Sequence, residues 1–323
     1  MRRLRRRLGA ERGQAIVFVV GTMVCLIGMG ALVIDGGSWW RAHRHLQTAA
    51  DAAALAGVQE LPASTSNAQS VAINYAQQNY AGLPSPSVTF PSSPNPPCGG
   101  TNCVDVVAQT TAPGFLARIY GLAFNNVTVR AHARAAVTVP AFMKNVAPVA
   151  VKNTVACAAT SPSCYGRTVS LAFNESNVSS STIGLINLTC HSTVSTACGS
   201  SSGIGGSQLK DWIESGYPDA LPAGQWYGVK TGETVGPVKQ GFNDRLGVPL
   251  FFPVFDTVAN NGPNYFFHVI GWAAFVITNV DAWGPQGRQL TGHFVTYTTS
   301  DLPAGLPADG SNDFGVHVIS LVQ

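Results

Sequence analysis

The chain has 323 residues, of which 46% are hydrophobic and only 11% are charged. Its 34 glycines and 20 prolines indicate β structure with many loops, and the length allows one large domain or two ordinary ones. The net charge of +3 comes from the N-terminus, where six of the 19 basic residues and one of the 16 acidic residues lie within the first twelve positions. The rest of the chain is nearly neutral, with 13 basic and 15 acidic residues. A nucleic-acid-binding protein needs basic charge spread over a folded face, so this balance argues against nucleic acid as a partner.

An arginine-rich tail, residues 1–14, precedes a run of 20 residues, 15–34, that contains no charge and no proline. A helix of that length is about 30 Å long, which matches the hydrocarbon core of a bilayer. The positive-inside rule then places the N-terminus in the cytoplasm and the rest of the chain outside. Trp39 and Trp40 follow at the position of an interfacial aromatic belt. The sequence predicts a single-pass protein with the lipid bilayer as a partner.

Two kinds of proteolytic processing are alternatives to an uncleaved anchor. The triplet Ala54-Leu55-Ala56 has the A-x-A form of a signal-peptidase site, but it lies about 20 residues beyond the apolar run, too far for such a site. A pilin-type leader needs a glycine before the cleaved bond and an acid inside the mature helix. Gly13 meets the first need, whereas no acid occurs in residues 14–34. An uncleaved signal anchor is therefore expected.

Residues 35–140 are predicted to form an alanine-rich helix and a small α+β unit. The stretch Asp35-Gly36-Gly37 is expected to end or loosen the span, and Ser38 can cap the helix that follows, to about residue 61. The later elements expected here are a helix at about 67–80, a strand at 104–111, a short helix at 114–120 and a strand at 127–139. In the last strand Val127, Val129, Ala131, Ala133 and Ala135 share one face.

The rest of the chain divides by composition. Residues 141–207, rich in Ser, Gly and Cys, are expected to be a loop-rich insert. Residues 208–323 are expected to be a mostly antiparallel β domain after a short helix at 209–215, which makes the overall fold class α+β. Its strands are predicted at 250–254, 266–280, 289–299 and 316–322. Its core is predicted from Phe251, Phe255, Phe267, Trp272, Phe275 and Phe294.

Seven cysteines separate into one within the span, Cys25, and three close pairs beyond it. The pairs are Cys98 with Cys103, Cys157 with Cys164, and Cys190 with Cys198. On the oxidising side of a membrane, local disulfides are the natural hypothesis, although six cysteines allow 15 pairings. No pair has the C-x-x-C spacing of a zinc site, so no cofactor is expected.

The N-terminal residues ERGQAIVFVVGTMVCLIGMGALVIDGG and WRAHRHLQTAADAAALAG resemble the N-terminal module of the Flp pilus-assembly TadE/TadG-like proteins. The later FLARIYG resembles the segment that often follows this module, and the C-terminal strands resemble, more loosely, the β region of TadG-like proteins. The resemblance implies a bitopic bacterial inner-membrane protein of the tight-adherence pilus apparatus, not an enzyme. Its partners would be other pilus-assembly or secretion proteins, or a second copy.

Five residues are singled out near the membrane exit. Asp35 is expected to be an interfacial cap, with a specific partner contact as the alternative. On the following helix Ala49, Ala53 and Gly57 are spaced by four, a pattern that allows close helix packing. Asp51 can keep another face of this helix exposed to solvent. This small-residue face is expected to pack either within its own domain or against a second copy or pilus component.

An alternative function, that of an anchored metal-dependent hydrolase, rests on three histidines. His268, His293 and His317 each fall within a predicted C-terminal strand. If those strands are neighbours in register, the imidazoles could converge on a metal; otherwise each is a half-buried strand histidine with a local hydrogen bond. A minor pilin is the third hypothesis. The favoured prediction remains a non-enzymatic, membrane-anchored component of pilus assembly.

Overall fold

The structure is a computed structural model of the whole chain. It describes residues 11–91, 98, 101–119, 126–159, 161–173, 178–198, 204–230, 235–261, 264–284, 287–302, 305–307 and 312–322. The arginines before residue 11 lie outside these ranges. The chain divides into two compact units: unit 1 is Met1–Ala53, Ala72–Val88 and Val106–Ala133, and unit 2 is Ala54–Val71, Thr89–Asp105 and Arg134–Gln323.

Helices dominate the first part of the chain and strands the rest, so the predicted α+β class is confirmed. The α-helices are α1 (Glu11–Val58), α2 (Thr65–Asn79), α3 (Phe115–Ile119), α4 (Gly206–Ser215) and α5 (Val235–Asp244). The strands are β1 (Ser87–Thr89), β2 (Cys103–Pro113), β3 (Asn126–Val139), β4 (Phe142–Met143), β5 (Val149–Lys152), β6 (Thr168–Phe173), β7 (Ile183–Ser192), β8 (Leu221–Pro222), β9 (Gln225–Val229), β10 (Pro249–Asn261), β11 (Asn264–Gly284), β12 (Gly287–Val295), β13 (Tyr297–Thr299), β14 (Leu306–Pro307) and β15 (Val316–Val322).

Helix α1 runs without a break from the apolar segment into the alanine-rich segment. The predicted continuation of the apolar helix into the alanine-rich helix is confirmed, and Asp35-Gly36-Gly37 does not interrupt it. Ser38 does not cap a new helix either, since its hydroxyl donates to the carbonyl of Asp35 one turn back, at 2.8 Å. Each of the two glycines costs only about 1 kcal/mol in a helix interior, which is too little to interrupt a helix of 48 residues.

Strand β3 confirms the alternating pattern read from the sequence. In unit 1, Val129, Ala131 and Ala133 are buried while the intervening residues are more exposed. Arg130, on the exposed face, donates from Nε to the Gln109 side chain of β2 at 2.8 Å. The period of two therefore reports one covered face and one open face.

The six-stranded sheet has the order β1-β2-β3-β15-β13, with β14 also paired to β3. Within unit 2, β15 runs antiparallel to β3, with Ile319 opposite Val137, and parallel to β13. Arg134 also pairs with Asp105 there at 2.6 Å. The last strand of the chain is thus held between two partners.

The larger sheet contains most of the core of unit 2. Its order is β10-β5-β7-β9-β11-β12-β6, and β10 also pairs with β11, so five strands close into a hydrogen-bonded ring. Of the predicted core residues, Phe251 is half-buried and the other five are buried. A Cβ at Gly184 would lie 2.6 Å from the Phe267 ring, so glycine lets β7 approach this aromatic cluster.

Residues 141–207 differ from the expected loop-rich insert. They contribute β5, β6 and β7 to the larger sheet, and Val149, Ile183 and Leu185 belong to its core. Composition concealed these strands because short apolar runs alternate with Ser- and Gly-rich turns. The three expected disulfides are all present, joining Cys98 to Cys103, Cys157 to Cys164 and Cys190 to Cys198.

Helices α4 and α5 cover part of this core. Leu209, Trp212 and Ile213 of α4 and Val238 and Phe242 of α5 are buried in the same cluster. The sequence predicted α4 but not α5, because a helix containing Pro237 and two glycines has low intrinsic propensity. Burial of the Val238 and Phe242 pair, four residues apart, compensates for that propensity.

Candidate functional site

The apolar part of α1 has no cover from the chain. Every residue of 15–34 is exposed except Ala31, which is partly covered. Leu32 is 77% exposed and Ile34 is 55% exposed. A continuous apolar surface of this size is not stable in water and marks a membrane or protein contact. By length and composition this helix is able to cross a membrane, which fits a single-pass membrane protein.

Asp35 ends the apolar segment and binds the N-terminus of α3. One carboxylate oxygen, Oδ1, accepts the backbone N–H of Phe115 at 2.8 Å and that of Leu116 at 3.1 Å. The other, Oδ2, accepts the N–H of Ala117 at 2.7 Å and a second contact from Leu116 at 3.2 Å. Asp35 itself is only 3% exposed.

This arrangement is a helix cap supplied from another helix. The first N–H groups of any helix lack intrahelical partners, and α3 is preceded by Gly114, which has no side chain to cap them. A carboxylate is the strongest acceptor available, because its charge also faces the positive end of the helix. Asp35 therefore contacts its own unit, and its capping role concerns α3, not the end of α1.

The small-residue face of α1 is occupied by the protein itself. Ala49 and Ala53 are 0% exposed in the single chain, and Gly57 is also buried. Of the two interpretations of this face, the structure agrees with packing inside the chain.

The opposite face of α1, just beyond the apolar segment, remains open. Its residues recur at three- and four-residue spacing and border a shallow hollow of about 300 Å³: Trp40, His43, Arg44, Gln47, Thr48 and Asp51. We call these six residues the exit face. Gln47 fixes part of it by donating to Asp51 and to the backbone carbonyl of His132, both at 2.8 Å. Asp51 is thus a half-buried hydrogen-bond acceptor on this face.

The three histidines do not converge on a metal site. His293 of β12 pairs with Val276 of β11, whereas His268 lies eight residues earlier on β11. Eight residues of a strand span about 26 Å, so the two histidines lie far apart along the sheet. His268 contacts Asp256 through Nδ1 at 2.9 Å. Among the described residues no group of three or more His, Cys, Asp or Glu side chains could hold a metal ion.

His317 belongs instead to a buried polar cluster that sequence reasoning missed. Its Nε2 lies 2.8 Å from Oδ1 of Asp313, which also accepts the backbone N–H of Gly315 at 3.0 Å. Nearby, the Tyr165 hydroxyl donates to the carbonyl of Cys157 at 3.0 Å. Burial, and then the negative charge of Asp313, raise the pKa of Tyr165 well above its usual value. Each of these polar groups has a partner within the fold, which is typical of a packing role.

An exposed apolar helix segment that continues into a folded module fits the class of single-pass membrane proteins. Residues 13–60 match a family model described as putative Flp pilus-assembly TadE/G-like, which confirms the resemblance of the N-terminal module. The match covers the apolar segment, Asp35, the small-residue face and the exit face. No curated protein and no solved structure matches the chain. The looser TadG-like likeness of the C-terminal strands stays a prediction.

Proposed function

We propose that the protein is a membrane-anchored, non-enzymatic component of Flp/Tad-type pilus assembly or the associated secretion. It acts through protein–protein contacts outside the membrane. The observation that carries the proposal is that the family match falls on the one helix whose apolar surface the described chain leaves open. The same helix continues directly into the folded module, so the anchor and the proposed contact surface lie on one continuous helix.

The orientation follows from charge. Six arginines precede the apolar segment, whereas only Arg41 and Arg44 follow it closely. The positive-inside rule then puts residues 1–14 in the cytoplasm and residues 35–323 outside. Three disulfides in the latter part agree with an oxidising compartment.

The exit face is the proposed protein contact. The small-residue face is buried within the chain, whereas the indole of Trp40 and the guanidinium of Arg44 are exposed and available to a partner. Aromatic and arginine side chains are enriched in interface hot spots. A second pilus-assembly protein or another copy of this chain would meet the module there.

A deletion of the gene, complemented with variants, tests the role. We expect the deletion to abolish Flp-type pili or the linked secretion and the wild-type gene to restore them. A Trp40→Ala, Arg44→Ala variant that reaches the membrane at wild-type abundance is expected to restore them poorly. A photocrosslinker at Thr48 is expected to capture a pilus-assembly protein or a second copy, while one at Gln69, exposed on α2, is not. Unchanged pili and secretion after deletion would overturn the proposal.

A further inference from the structure

We propose that α3 is a second membrane contact, in which Phe115 enters the lipid interface beside the outer end of the apolar segment and Arg118 meets lipid phosphate groups. The inference rests on the proposed anchoring of residues 15–34 in a bilayer. It assigns a role to two exposed residues that lie outside the matched residues 13–60.

The hydrogen bonds of Asp35 fix the level of α3 along α1. The Phe115 backbone nitrogen is 2.8 Å from the Asp35 carboxylate. Side chains on a helix lean toward its N-terminus, so this carboxylate lies over the turn that contains Ala31. Ala31 is also the only residue of 15–34 that is partly covered. The first residue of α3 is therefore level with the last turn of the apolar segment.

Most of the Phe115 side chain is left uncovered by the folded chain. Its ring is 61% exposed although its backbone is held by Asp35, while Ala117, on the other side of α3, is 4% exposed. Along the axis of α1, the exposed apolar surface of Phe115 lies at the same level as that of Leu32 and Ile34, which are 77% and 55% exposed. A bilayer that surrounds these residues also covers a ring held beside them.

Arg118 supplies a positive charge that can bind a lipid phosphate group. It lies three residues after Phe115, so both project from one face of α3, and it is exposed. No acidic residue occurs in 106–119, and the nearby Asp35 carboxylate is held by backbone N–H groups of α3. An aromatic residue beside an arginine is the pattern of interfacial helices, in which the ring lies at the acyl boundary and the guanidinium binds phosphate. The bilayer is favoured over a protein partner because the level of Phe115 is the level of the membrane edge.

Depth-dependent quenching in vesicles tests the proposal with the full chain. The Cys25→Ser variant leaves no free thiol among the described cysteines, because the other six form disulfides. In that background, Phe115→Cys, Arg118→Cys, Leu32→Cys and Tyr75→Cys each carry one environment-sensitive fluorophore. Vesicles of phosphatidylcholine and phosphatidylglycerol contain nitroxide lipids as the membrane quencher, and iodide serves as the aqueous quencher. Tyr75 is the matched control, since it is an aromatic residue that is 47% exposed on α2.

We expect the label at position 115 to be quenched by nitroxide lipids several-fold more than the label at 75, and the label at 118 to be quenched mainly by nitroxides at headgroup depth. Lipid quenching at 32 with only iodide quenching at 115 and 118 would overturn the role of α3 and leave the anchor intact. If added pilus-assembly protein, but not lipid, protects position 115, the surface binds protein and the proposal fails. Absence of lipid quenching at 32 would refute the anchor and the inference together.

Discussion

The backbone N–H of Ala117 donates to the carboxylate of Asp35 at 2.7 Å, although 82 positions separate the two residues. With the N–H groups of Phe115 and Leu116, this bond ties α3 to the end of the apolar segment. The tie joins two parts of unit 1 at the end of the apolar segment. Its strength decides whether the anchor and the folded module move as one element.

Loss of the Asp35 carboxylate is expected to release α3. Asp35→Ala leaves three N–H groups without their acceptor and should lower the free energy of unfolding by about 1–3 kcal/mol. Asp35→Asn keeps one acceptor oxygen and should cost less. Hydrogen exchange of residues 115–117, measured by mass spectrometry in detergent, is expected to rise in the same order.

Asp51 provides the control for this measurement. It lies on the same helix and accepts one side-chain hydrogen bond, from Gln47. Asp51→Ala is expected to leave exchange at residues 115–117 unchanged. Equal protection of these amides in Asp35→Ala and the wild type would contradict the capping role.

Ala49 tests the packing of the small-residue face. Ala49→Leu forces a much larger side chain into a fully buried site and should cost about 1–3 kcal/mol in the free energy of unfolding. Ala52→Leu, on the half-buried side of the same helix, should change it by less than about 0.5 kcal/mol. Thermal unfolding of both variants checks the difference. Equal Tm values would mean that this face is not packed.

Gly315 tests the buried cluster around His317. It has a φ of 84°, and a Cβ there would lie 2.8 Å from Cε1 of Tyr165. Gly315→Ala combines backbone strain with a steric clash and should cost about 2–4 kcal/mol.

Gly166 separates the two causes. It has a φ of 75° but no atom within 4 Å of the added Cβ, so Gly166→Ala should cost only about 1 kcal/mol, from backbone strain alone. Denaturant unfolding of the two variants measures both. A Gly315→Ala protein as stable as Gly166→Ala would show that Tyr165 can move aside without cost.

The disulfides are testable by peptide mapping without reduction. The expected linked pairs join cysteines separated by five, seven and eight positions, and Cys25 should be the thiol that alkylates. Replacing Cys190 and Cys198 by Ser opens one short loop and should cost about 2.5 kcal/mol on the chain-entropy estimate. Linked peptides that join different pairs would disprove the connectivity.

Local patterns predicted several elements well. The alternation in β3 and the alanine spacing in α1 are each visible from residues that lie close together in the sequence. The apolar segment was recognisable because a helix of a water-soluble domain seldom contains 20 consecutive residues without a charge.

The remaining features depend on contacts between distant residues. Nothing near Asp35 in the sequence indicates that its partner is Phe115, because the uncapped N–H groups belong to a helix 80 positions away. Likewise, the strands within the Ser- and Gly-rich residues 141–207 depend on pairing partners: β6 pairs with β12, and β7 pairs with β5 and β9. The metal hypothesis failed on register, since His268 and His293 lie on neighbouring strands but far apart along them.

The central claim is that residues 15–34 form an uncleaved membrane anchor for the folded module. The most direct test is the intact mass of the protein that stays in the membrane pellet after an alkaline carbonate wash. We expect a carbonate-resistant protein whose mass includes the arginine-rich residues 1–14. A protein released by the wash, or a mature chain that begins after Gly13 or after Ala56, would contradict it.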